Sequence, residues 1–157
     1  MNWLEVCEHP DLQNLPFKIE LDETGKIIMS PTKVYHSIYQ GEIAYQLHAR
    51  SPTGKTLVEC AIATRKGTKV ADVAWASPER LVTIWSEVEC SVAPELCVEV
   101  LSSTNTQQEM QAKRQLYFEQ GALEVWLCDA DGKLNFFGSA GPLTRSVLFP
   151  DFPSRIE

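Results

Sequence analysis

Two short apolar runs each carry a single carboxylate at their centre: Val70-Ala71-Asp72-Val73-Ala74-Trp75 and Leu96-Cys97-Val98-Glu99-Val100-Leu101. Both are rich in valine and bounded by turn or polar residues, so they read as strands. Side chains alternate faces along a strand, so Asp72 shares a face with Ala74 and Ala76, and Glu99 shares one with Cys97 and Leu101. Neither strand has a polar face to accommodate its acid. Removing an isolated carboxylate from water costs several kcal/mol even after relaxation, on the order of a domain's whole margin of stability. Two readings stand side by side. The acids are salt-bridged or reach solvent at strand ends, or they face each other across neighbouring strands and share a cation. In the second reading they repel unless that cation intervenes. Oxygen-only donors favour magnesium, manganese or calcium over zinc.

The rest of the chain suits one mixed α/β domain spanning residues 1–157. Its 157 residues are 44% hydrophobic and 22% charged, enough apolar content to bury a core without disulfide staples. No apolar run approaches the roughly 20 residues of a membrane span. The opening Met1-Asn2-Trp3-Leu4-Glu5 places an acid where a signal peptide needs basic residues. Five cysteines, an odd number with no close pair, predict free thiols and a reducing, cytoplasmic setting. Fourteen basic residues face 21 acidic ones, a net charge of -7 that argues against non-specific coating of DNA. It leaves room for an enzyme that acts on nucleic acid through cations held by acids.

Local patterns predict the element order. Residues 17–21 and 26–29 form a hairpin around Thr24-Gly25. Residues 35–49 form a helix, and 56–63 and 69–76 are strands joined at Lys66-Gly67. Residues 79–94 lack periodicity and are expected to form a long, partly mobile connection that could close over substrate. Residues 96–101 form a strand. Thr106-Gln107-Gln108-Glu109 opens a second helix to residue 120, with Gly121 as its C-terminal cap. Strands at 123–128 and 134–137 follow, and the tail is irregular.

Two motifs that suggest chemistry do not survive their context. Gly54-Lys55-Thr56 resembles the end of a phosphate loop, but Ala49 stands where the motif needs glycine, and a helix precedes it where a strand should. Zinc needs close ligand pairs, and no Cys-x-x-Cys exists.

The second helix adds a third oddity. Met110, Leu116 and Tyr117 form its apolar stripe, and Lys113 falls in the middle of it, while Arg114 is expected to point to solvent. Lys113 either snorkels outward or reaches the two acids. Two carboxylates, a lysine and a metal would together suit phosphodiester hydrolysis.

These residues resemble a known family. Asp72, Glu99 within Glu-Val-Leu-Ser, Lys113 and Tyr117 on the next helix, and Glu124-Val125-Trp126-Leu127 are similar to the putative restriction endonuclease family of the PD-(D/E)XK superfamily. The similarity extends to Leu15 through Leu21, Met29-Ser30-Pro31 and Phe149 through Pro153. It implies a restriction endonuclease-like core: a mixed central sheet flanked by helices, with an N-terminal hairpin. It also implies Mg²⁺ or Mn²⁺ held by Asp72, Glu99 and the Val100 carbonyl, with DNA as substrate. The usual lysine lies two residues after the Glu. Leu101 stands there, and Lys113 replaces it. His36, Gln40 and Glu42 lie on the helix that in this superfamily often adds an acid. His36 and Gln40 share a face with Ile43 and Leu47, from which Glu42 points away. They are peripheral candidates beside the alternative of ordinary helix-surface residues. The competing function is a catalytically silent interaction module on a nuclease fold, regulatory or homodimeric, using exposed aromatics such as Trp85 and Phe137.

Overall fold

The computed structural model describes residues 1–157. The elements are α1 (Trp3–Glu8), β1 (Phe17–Leu21), β2 (Ile27–Pro31), α2 (Val34–Arg50), β3 (Lys55–Thr64), β4 (Gly67–Ala76), α3 (Pro78–Ile84), β5 (Leu96–Val100), α4 (Gln107–Glu119), β6 (Glu124–Cys128), β7 (Leu134–Gly138) and β8 (Gly141–Leu143). Strands β3 to β8 form one six-stranded sheet in sequence order, and β1 and β2 form a separate antiparallel hairpin. All neighbours are antiparallel except β5 and β6, which run parallel because α4 carries the chain back between them. This is the mixed, helix-flanked sheet with an N-terminal hairpin that the sequence predicts.

Strand alternation sorts the core into two layers. Val73, Leu96, Val98, Trp126 and Phe136 face α2, where Ile43 and Leu47 meet them, together with Phe149, Phe152 and Ile156 from the tail. Ala74, Cys97, Val125 and Leu127 face α4, where Met110 and Tyr117 cover them. Both faces of β5 and β6 are therefore buried, and every residue of these strands is inside. The tail lacks regular structure but is fixed. Glu124 is buried and accepts hydrogen bonds from Trp126 Nε1 (2.9 Å), the Ser146 hydroxyl (2.7 Å) and the amides of Val147 (2.9 Å) and Leu148 (2.7 Å). Four donors fully satisfy this carboxylate, so it needs no other partner.

Helix α1 and strand β8 are not among the elements expected from the sequence, and other features depart from that reading. The stretch expected to be a mobile connection begins with α3, opened by Ser77 as N-cap and Pro78 at the first helical position. Cys90 then pairs with the free edge of β3: its N–H donates to the Ala61 carbonyl (2.8 Å) and its carbonyl accepts from the Ala63 N–H (2.9 Å). Seven helical residues are too few to show a period, which is why the pattern was missed. Arg114 does not point to solvent. It is half-buried with its guanidinium 3.7 Å above the Phe137 ring, so Phe137 is not a free surface aromatic either. Trp85 is exposed as expected.

Candidate active site

The register of β4 against β5 sets the site. The last paired positions are Val73 with Val98, and one step further the same register puts Asp72 across from Glu99. The backbone ladder stops there. The Val100 N–H donates instead to Asp72 Oδ2 at 2.7 Å, so the aspartate stands in for a strand at the point where the sheet opens. Both acids are buried, 1% and 3% exposed. The opening faces the C-terminal end of β5, the end at which open α/β sheets bind ligands.

Neither carboxylate is alone. Lys18, reaching in from β1, places its Nζ 3.1 Å from Asp72 Oδ1 and 3.0 Å from Glu99 Oε2. Lys113, from α4, lies 3.1 Å from Glu99 Oε1 and 2.8 Å from Glu20 Oε2. The Tyr117 hydroxyl donates to Glu99 Oε1 at 2.6 Å, and His36 Nε2 lies 3.4 Å from Asp72 Oδ2. Glu20, two residues after Lys18 and so on the same face of β1, also accepts the Val70 N–H at 2.6 Å. Three carboxylates and two ammonium groups thus alternate through one buried network. The expected repulsion between Asp72 and Glu99 is already relieved, because Lys18 sits between them.

The titration behaviour follows from these contacts. Burial alone would raise Asp72, but Lys18, His36 and the Val100 amide outweigh it and hold its carboxyl below the usual range. Burial dominates at Glu99 and raises it, with Asp72 and Glu20 adding to the shift against Lys113 and Lys18. Burial would lower Lys18, yet Glu99, Asp72 and Glu20 together raise it, so it is charged at any ordinary pH. Burial, then the Glu99 charge, pushes the Tyr117 phenol well above its ordinary value, so it remains a donor.

The structure therefore brings together Asp72, Glu99, Lys113, the Val100 backbone and His36. Gln40 makes no hydrogen bond to the site, and the Glu42 carboxylate accepts from Gln46 Nε2 one turn along α2 (3.1 Å). Lys18 and Glu20 were missed. In sequence they alternate with Phe17, Ile19 and Leu21, and so look like the polar face of a hairpin strand.

A divalent ion can be tested against these residues. No group of three or more His, Cys, Asp or Glu side chains forms a ready-made metal site. However, Asp72 Oδ1 and Glu99 Oε2 converge on one cation, the Lys18 ammonium. The donors are hard oxygens, matching magnesium or manganese. These two oxygen donors would suit such an ion only without the Lys18 ammonium between them.

Comparison with known proteins agrees with this fold. A solved structure of a putative nuclease belonging to DUF820 from Anabaena variabilis shares the fold with a TM-score of 0.66 at 20% sequence identity, covering 85% of this chain and 78% of that one. No curated protein matches the chain. The sequence model of the Uma2 family, described as putative restriction endonuclease, matches residues 4–137. On that match, with Asp72, Glu99 and Lys113 gathered at the open end of a nuclease-like sheet, the chain belongs to the Uma2 putative restriction endonuclease family.

Proposed function

We propose that the protein is a metal-dependent endonuclease that hydrolyses phosphodiester bonds in DNA. One observation carries the reading: two buried carboxylates on adjacent strands direct oxygens at a single cation, with Lys113 beside them. Asp72, Glu99 and the Val100 carbonyl would hold Mg²⁺ or Mn²⁺, which supplies Lewis-acid polarisation and lowers the pKa of a bound water. The chain's own groups do the positioning. The Val100 amide fixes Asp72, and Tyr117 fixes Glu99. Lys113 offsets negative charge as it grows on the phosphate, and Glu20 aims it from the hairpin. The odd cysteine count supports a cytoplasmic setting.

The test is a plasmid assay. Purified protein is expected to nick DNA with Mg²⁺ or Mn²⁺ and not in EDTA. Glu99→Gln should abolish nicking while leaving the circular dichroism spectrum unchanged. Nicking that persists in Glu99→Gln would remove this site from the reaction.

A second reading has its own support. The acids are already paired with lysines within the fold, so a catalytically silent interaction module, as a monomer or a homodimer, would hold them without a metal. The exposed Val82 and Trp85, beside a groove between α3 and β3, would serve it. That reading does not require a divalent ion at Asp72 and Glu99.

A further inference from the structure

The position of Lys18 has a consequence for loading of the site, and it rests on the reading of Asp72 and Glu99 as metal ligands. We propose that Lys18 is a tethered cation occupying the metal position, so that a divalent ion binds by displacing it and the β1–β2 hairpin governs metal affinity.

The geometry singles out this lysine. Lys18 touches both acids, whereas Lys113 touches Glu99 and Glu20 but not Asp72. Its side chain is 11% exposed, so its ammonium has exchanged most of its water for these carboxylates. A divalent ion would use the same oxygens. Two cations within one ion-pair distance repel strongly in so dry a place, so occupancy is exclusive. The exchange is electrostatically sensible: the network's three carboxylates and two ammonium groups leave a charge of about -1, and a divalent ion in place of Lys18 brings it to about zero.

The hairpin is built to let go. Of the ten residues in β1 and β2 only Leu21 is buried, and Phe17, Ile28 and Met29 are exposed. The hairpin pairs with no strand of the main sheet. Its ties to β4 include the Glu20 carboxylate on the Val70 amide and the Leu21 carbonyl on Lys69 Nζ (3.2 Å). Segments with few buried apolar contacts open at low free energy. A site closed most of the time binds its ligand more weakly by the fraction of time it is open.

The experiment is Mn²⁺ titration calorimetry on the full chain, comparing the parent with Lys18→Gln, Lys18→Met, Lys113→Met and Asp72→Asn. Both Lys18 variants are expected to bind Mn²⁺ about tenfold or more tightly than the parent, because the closed, self-occupied state is removed. Lys113→Met should gain much less, and Asp72→Asn should not bind. In the parent, Mn²⁺ should also speed hydrogen exchange of the amides in residues 17–21. Lys18 variants that bind no tighter than the parent, or an equal gain in Lys113→Met, would overturn the tethered-cation role while leaving the metal site standing. Should the Lys18 variants not fold, the parent alone decides: Mn²⁺ binding with unchanged exchange in 17–21 overturns it. Absence of Mn²⁺ binding in every variant, or undiminished binding in Asp72→Asn, would overturn the metal site and this role together.

Discussion

Asp72 and Glu99 occupy matching positions on adjacent strands, yet their environments push them in opposite directions. Asp72 gains enough from Lys18, His36 and the Val100 amide to stay ionised, while burial weighs most on Glu99. The signs fix the pH dependence. A carboxyl held below its unfolded value, about 3.9 for Asp, contributes stability that is complete above that pH and lost as the pH falls through the folded value. Asp72→Asn is therefore expected to destabilise the metal-free protein by about 2 kcal/mol at pH 7, the scale of charged hydrogen bonds lost from a buried site. The gap should shrink as the pH falls well below 4. Denaturant titrations of both proteins across pH check this, and a gap that ignores pH would contradict it. The acids and Lys113 were legible in sequence because each interrupts an apolar pattern and has no local excuse. Lys18 and Glu20 were not, since alternation on a half-exposed strand explains them fully and their partners lie 54 and 93 residues away.

The elements differ in how openly they declare themselves. Helix α4 is written clearly: Thr106 accepts the Glu109 N–H as the capping motif expects, and Gly121 ends the helix at a φ of 104°. Its face then puts Lys113 and Tyr117 on Glu99. Helix α3 is hidden by its length, although Ser77-Pro78 carries a helix-start signal. Because α4 sets which lysine faces the acids, it is the element on which to test the displaced lysine. Lys113→Met keeps the stem and should leave metal binding intact while turnover falls by about a hundredfold, the scale of losing one preorganised charge-stabilising donor. Arg114→Met should cost about 0.5–1 kcal/mol through its lost stacking on Phe137 and leave the turnover of folded protein unchanged. Single-turnover cleavage rates of the two variants separate these outcomes, and equal losses would assign Lys113 a general effect on DNA binding.

At the scale of the whole molecule, a sheet covered on both faces opens at one point, where the β4–β5 ladder ends. Everything charged and buried except Glu124 and Glu95 gathers there. Those two are occupied by the tail and by the Ser77 amide. The fold class was legible because runs of apolar residues, turn signals and one crossover helix allow few topologies. The hairpin's place over the opening was not, because it depends on long-range ion pairs that leave no local pattern. Net charge bears on the same point. At -7, the protein would gain little from diffuse attraction to DNA, so the proposed reaction would need a divalent ion between these acids and the phosphate. Anomalous diffraction from a crystal soaked in Mn²⁺ tests this most directly. One strong peak bonded to Asp72, Glu99 and the Val100 carbonyl is expected, with the Lys18 ammonium moved away. A map with no peak between the two acids and Lys18 still bridging them would contradict it.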